Sequence, residues 1–337
     1  ASSMDCPGIM SRGVLDAAVM LDALSGYDSN DPSSSGAAAK GNDQKILFDV
    51  LGHGSNNWSP TEKLEGLMKY QTELHSLEGV TIGVPREFHA AELDHRIHKI
   101  WNDSLLMLQD AGATIKEITI PSLTSALPAY YMLACAEASS NLSRYDGVRY
   151  GYRSTNSSEG SINKNSTIAS SGVASLASDL HNEIAQTRGE AFGSEVLRRI
   201  LTGTYVLSQS AYHDYYEKAL HCRNLITRDI SSQLEDVDCL LGPTTPILPF
   251  YVKSPPSVSA MYYNDILTVP ANLAGLPAIS VPAGLVYRSA GNMSEPSHMP
   301  VGVQLIGTRL GEASLVKIAL AIEQRSGMSE LLPTMIS

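Results

Sequence analysis

Basic residues are scarce in this 337-residue chain: 24 Lys and Arg stand against 35 Asp and Glu, a formal net charge of −11. A protein that grips a phosphate backbone by itself needs a Lys/Arg footprint, so this balance argues against direct nucleic-acid binding as its main task. Cysteine is scarce too. Cys6, Cys135, Cys222 and Cys239 lie far apart with no Cys-x-x-Cys pair, a pattern of free thiols in a reducing compartment. No apolar run approaches the roughly 20 residues that cross a bilayer, so no membrane partner is expected. His-Glu-x-x-His, a phosphate-cradling glycine loop and a dinucleotide fingerprint are all missing, and no metal site is expected. His95 and His98 share a helix face without a third ligand and read as surface histidines. Ser161-Ile162-Asn163-Lys164 fits the Ser-x-x-Lys pattern of some acyl-transfer enzymes. It sits in a low-complexity stretch with nothing to hold the Lys against the Ser, and reads as coincidence. The opening Ala1-Ser2-Ser3-Met4-Asp5 is neither an initiator Met nor a targeting peptide, and reads as the middle of a longer sequence.

What is present is ordinary globular material, 43% hydrophobic and 18% charged, enough for one large domain or two smaller ones. Apolar residues at helical spacing (Val14, Ala17, Ala18, Leu21) stop at Gly26 and predict a helix over 14–24. Residues 80–84 read as a strand closed by Pro85, residues 94–111 as an amphipathic helix ending at Gly112, and residues 114–120 as a second strand: a βαβ unit. Residues 28–60 lack periodicity. Residues 154–178 hold nine serines and two charges, Glu159 and Lys164, too little to bury a core. Both stretches are expected to be surface insertions. Two long helices are predicted over 181–201 and 209–233, buried strands over 239–241, 278–281 and 301–306, and a closing helix with Leu315, Ile318, Ala319 and Ile322 on one face.

Gly/Pro punctuation beside the apolar run in Asn272-Leu273-Ala274-Gly275-Leu276-Pro277-Ala278-Ile279-Ser280-Val281-Pro282 fixes the backbone close to a ligand or a neighbouring strand. That block, with Pro300-Val301-Gly302-Val303-Gln304-Leu305-Ile306-Gly307, resembles the C-terminal part of the amidase signature family. Four further blocks are similar to the family's glutamyl-tRNA(Gln) amidotransferase A subunits: Ala126-Leu127-Pro128-Ala129-Tyr130-Tyr131, Glu137-Ala138-Ser139-Ser140-Asn141-Leu142, Arg144-Tyr145-Asp146-Gly147-Val148-Arg149-Tyr150-Gly151 and Arg198-Arg199-Ile200-Leu201-Thr202-Gly203. The resemblance implies an α/β fold, a mixed β-sheet core flanked by helices on both faces, with residues 1–337 forming the C-terminal portion of a single amidase domain.

It also implies the chemistry. Family members cleave amides with a Ser nucleophile, a second Ser and a Lys base. All three belong to a region that precedes the Ser-Ser-(Leu/Met)-Asp block with which this chain opens, so no catalytic residue is expected within it. What the resemblance leaves here is the grip on glutamine: Arg199 for the α-carboxylate, whose two oxygens match a guanidinium fork, Asp265 for the α-ammonium, and Tyr130 lining the pocket. Arg199 and Asp265 are expected on opposite walls of that pocket. Read without the resemblance, Arg199 is first a helix-surface arginine and Asp265 a turn or N-cap acid, and the adjacent Tyr131 could take the role of Tyr130. The implied partners are the B and C subunits and, through the complex, Glu-tRNA(Gln). ATP and Mg²⁺ belong to the B subunit, with no cofactor in this one. Cys6 in place of the Gln usual after Asp5, and the Ser-rich stretch, point to an organellar, mitochondrial version. A stand-alone amidase on other amides and a non-catalytic scaffold or gene-model fragment are the rival readings. The Arg144–Gly151 run is expected to be an ordered loop held by internal ion pairs, not a nucleic-acid platform.

Overall fold

The computed structural model describes residues 2–30, 76–89, 92–154, 173–250, 256–288, 297–328 and 331. They form two compact units, one of Ala1–Asp5 with Pro128–His221 and the other of Cys6–Leu127 with Cys222–Ser337.

The second unit is built on a sheet that has five strands among the described residues: β1 (Thr81–Pro85), β2 (Thr114–Ile118), β3 (Cys239–Pro243), β4 (Ala278–Arg288) and β5 (Ser297–Gly307), in the order β2-β1-β3-β5-β4. β1 runs parallel to β2 and β3, whereas β5 is antiparallel to both β3 and β4, so the sheet is mixed. β3 is buried along its whole length, which is why it reads as a continuous apolar run and not as an alternation. Helices α1 (Val14–Leu24), α2 (His95–Asp110) and, near the C-terminus, Glu312–Ser326 flank the sheet. The α2 helix connects the parallel strands β1 and β2, which is the predicted βαβ unit. It starts where Asp94 accepts the Arg96 N–H, and it buries Ile97, Ile100, Trp101 and Leu108. In β4 the register shifts between Pro282 and Gly284, a bulge that sets the Gly284 backbone against Ile100 of α2, where a Cβ would lie 3.2 Å from that side chain. The closing helix buries Leu315, Ile318, Ala319 and Ile322, as its spacing predicts, and packs on β4, β5, α1 and α2. Its Glu323 is also buried and accepts the Val14 N–H (2.9 Å), capping α1, whose own N-cap is Gly13. Burial raises the Glu323 pKa above the usual carboxylate range.

The first unit is helical: α3 (Ala126–Leu142), α4 (Val173–Ala191) and α5 (Ser194–Val206), then a π-helical turn at Tyr212–Glu217 that leads towards α6 (Lys218–Gln233). Three expectations are corrected here. The single helix over 181–201 is two, because Gly193 sits extended (φ −70°, ψ 168°) as the N-cap of α5. The helix over 209–233 is wound regularly only from Lys218. Residues 173–178 of the Ser-rich stretch belong to α4, while 155–172 and most of 28–60 lie outside the described residues.

Candidate functional site

Tyr130 and Arg199 fall in the helical unit, on α3 and α5. These two helices cross at a point set by small residues. A Cβ at Gly203 would overlap the Cys135 carbonyl oxygen, and beside it the Ser139 and Thr204 hydroxyls lie 3.1 Å apart. Only glycine permits that approach. Arg199 precedes Gly203 by one helical turn, and its charge reaches the Cys135 thiol. Burial raises the Cys135 pKa, the Arg199 cation opposes that shift and the Glu195 carboxylate adds to it. Arg199 Nε donates to Glu195 Oε1 (3.0 Å), and the same carboxylate also receives Arg198. The Arg199 side chain is 38% exposed, so its guanidinium sits at the rim of the unit and not in its core.

Tyr130 and Tyr131 are both half-buried, their rings edge-on at 5.3 Å. Helical spacing puts Tyr131 on the stripe Tyr131–Cys135–Ser139 that meets α5, and puts Tyr130 on the next stripe with Ala134 and Glu137. Glu137 receives the Ser3 amide (2.9 Å) and hydroxyl, which ties the opening turn to α3 and gives Ser3 a structural partner.

Asp265 belongs to the other unit. It lies half-buried in the turn between two short helices, α7 (Val258–Tyr263) and α8 (Val269–Ala274). Its carbonyl accepts the Thr268 and Val269 N–H groups, each at 3.0 Å, and its own N–H donates to Tyr262. Gln304 of β5 fixes this turn. Its buried amide nitrogen donates to Leu267 O (2.6 Å) and Pro243 O (3.1 Å), joining the turn to the end of β3. Next to that end, Thr244 and Ser280 pair their hydroxyls at 2.7 Å over Gly302. A pocket of about 200 Å³ adjoins the turn, walled by Ile97, Leu248, Phe250 and Val301, with the Asn264 side chain at its edge.

Gln304 and Glu195 are not among the residues picked out from the sequence as site residues. A signal for Gln304 existed: a lone amide inside the apolar run Val301–Ile306 must find buried partners. No group of three or more His, Cys, Asp or Glu is placed to hold a metal among the described residues, and no described helix is long and apolar enough to cross a membrane.

The Amidase family model matches residues 1–316. The chain is 39% identical over 332 residues to the A subunit of the glutamyl-tRNA(Gln) amidotransferase of Rhizorhabdus wittichii, covering 98% of this chain and 56% of that protein. Its counterpart in Anaplasma marginale is 38% identical, with 97% and 55% covered. Among solved structures, the glutamyl-tRNA(Gln) amidotransferase A subunit of Thermotoga maritima superposes with a TM-score of 0.59 at 28% identity, over 96% of this chain and 53% of that one. A bacterial aryl acylamidase gives a TM-score of 0.61 at 15% identity, with 97% and 55% covered, a likeness of fold alone. The chain spans about half the length of the curated relatives it matches.

Proposed function

The chain belongs to the amidase family, and from that premise we propose that the protein acts as the glutamine-hydrolysing A subunit of a glutamyl-tRNA(Gln) amidotransferase. The observation that carries the reading is 38–39% identity across nearly all of this chain to proteins of that name, against 15% to the aryl acylamidase of the same fold.

Glutamine at neutral pH presents an ammonium and a carboxylate at one end and the reacting amide at the other. In this reading the Arg199 guanidinium receives the carboxylate, Asp265 faces the ammonium and Tyr130 lines the glutamine pocket. Each group sits on a supported element: Arg199 on a helix pinned at Gly203, Asp265 on a turn tied to the sheet through Gln304. Such support matters because a glutaminase must hold the amide at reaction distance from its nucleophile. We assign no catalytic nucleophile within these residues. Ser3, bound to Glu137, is structural in this reading. The ammonia released would pass to a B subunit, which uses ATP and Mg²⁺ to amidate Glu-tRNA(Gln), with a C subunit bracing the pair. The compartment proposed is the mitochondrion.

The test is substrate choice by the full-length protein. Glutamine should be hydrolysed well ahead of hydrophobic primary and aryl amides. A preference for the hydrophobic amides would replace this reading with a stand-alone amidase, and no hydrolysis of either would replace it with a scaffold.

A further inference from the structure

The run Arg144–Gly151 stands out in the sequence, and the proposed glutamine site does not use it. In the structure it is a loop locked from behind. Gly147 (φ +71°) and Gly151 (φ +79°) occupy left-handed backbone, and a Cβ at either would strike its neighbour, Thr187 at 2.6 Å and the Tyr145 ring at 2.7 Å. Arg188 of α4 donates to the carbonyls of Leu142 (2.6 Å) and Tyr145 (3.0 Å), closing the C-terminus of α3, and lies over the Phe192 ring. The Tyr145 hydroxyl donates to Tyr152 O (2.8 Å), the Tyr152 hydroxyl to Glu190 (2.6 Å), and Ser154 Oγ to Glu190 (3.0 Å).

These bonds sort the loop's charges by face. The Asp146 carboxylate is taken up by the Val148 and Arg149 N–H groups, Glu190 by Tyr152, Ser154 and Gln186, and Glu183 by Arg153. Arg144 and Arg149 are exposed, as are Val148 and Tyr150 at 54% and 57%; Arg144 also donates to Asn141 Oδ1, and the Arg149 charge helps hold the Asp146 pKa down. Arginine and tyrosine on a rigid backbone are the composition of interaction hot spots, and rigidity lowers the ordering cost of association. With Arg144 and Arg149 against Asp146, the run keeps a positive balance on a chain of net charge −11, so it complements carboxylates on another polypeptide. A long polyanion is disfavoured, because two arginines neutralise few phosphates and the remainder of the protein repels them.

The geometry points to residues 144–152 as a preformed docking surface for an acid-bearing face of a partner subunit. This rests on the amidotransferase reading above, since that reading supplies the partner. The experiment co-expresses the full-length protein with the B and C subunits encoded in the same genome and measures association by calorimetry at 50 and 300 mM NaCl. It compares wild type with Arg144→Glu/Arg149→Glu and with Tyr150→Ala. The double reversal is expected to weaken association at least tenfold at 50 mM NaCl and to flatten its salt dependence, with melting temperature and glutamine hydrolysis unchanged. Tyr150→Ala should weaken it less. Unchanged association in both variants overturns the docking assignment and leaves the amidotransferase reading standing. Wild type that fails to associate at all overturns the amidotransferase reading. Two further results also overturn the assignment: a homo-oligomer that the reversal dissolves, which would make the occupant a second copy, and binding of a tRNA(Gln) transcript by the protein alone that the reversal abolishes, which would make it RNA.

Discussion

The β3 strand and the Arg144–Ser154 loop keep a fixed backbone by opposite means. β3 lies between two strands, fully buried, and is held by ladder bonds and by apolar side chains such as Leu240 and Leu241. The loop has no ladder, and its side chains are largely exposed. It is held by one phenol–carboxylate bond, one phenol–carbonyl bond, an arginine on two carbonyls and two glycines in left-handed backbone. The first device depends on excluded water, and the second on stereochemistry and charge. Rigidity outside the core is therefore expected to be local and removable without unfolding the protein.

The largest effect should come from the core. Leu241→Ala, at a site with no exposure, should cost about 2–5 kcal/mol of stability, read by urea denaturation. A cost below about 1 kcal/mol would mean that the sheet relaxes as readily as the loop and would remove the contrast. Next comes Arg199→Ala, expected to raise KM for glutamine about ten- to a hundredfold, or about 1.4–2.8 kcal/mol, with kcat much less affected. Equal loss in kcat and an unchanged KM would take Arg199 out of substrate binding. Tyr152→Phe, which removes one bond to Glu190, should lower stability only slightly and raise amide exchange only in residues 144–154. Exchange rising across β1–β5 would show that the two regions are one cooperative unit.

The smallest effect separates the regions by pH. Hydrogen bonds from Tyr152, Gln186 and Ser154 hold the Glu190 pKa below its ordinary value, so its contribution is present above that value and is lost as pH falls through the depressed one. Glu323 is shifted the other way by burial. Its contribution is greatest below the ordinary carboxylate pKa and declines as pH rises through the elevated one. Acid should therefore weaken the hold on the loop while relieving the cost of burying a charged Glu323. Melting curves of Glu190→Gln and Glu323→Gln between pH 3 and 8 should differ from wild type with opposite slopes. Parallel slopes would refute the assignment of either carboxylate.

Elements with one clear period and a clean stop were legible in the sequence. Helix α1, the β1–α2–β2 unit, β3 and the closing helix all fall within a few residues of where they were expected. Helix α3 was visible only as family blocks, because Ala129, Ala134, Cys135 and Ala136 bury small side chains, beside Leu133, around much of its circumference and leave no single apolar stripe. The break at Gly193 was hidden by apolar spacing that continues across it. Arg199, Asp265 and Tyr130 could be named from the resemblance. Of their supports, Gln304 is legible as a lone amide in an apolar run, but its partners and the role of Glu195 are not, since only the folded chain brings them near: Gln304 reaches back 37 residues to Leu267, and Glu195 holds two adjacent arginines at once.

The two buried thiols sit one in each unit, Cys135 at the α3–α5 crossing and Cys239 at the start of β3. Burial pushes both pKa values up, so neither ionises appreciably at neutral pH while closed. An alkylating reagent then reaches each one only when its own surroundings open. With Cys6 and Cys222 replaced by Ser, the protein would carry two internal stopwatches, and mass spectrometry of the labelled peptides would time the breathing of each unit in a single sample.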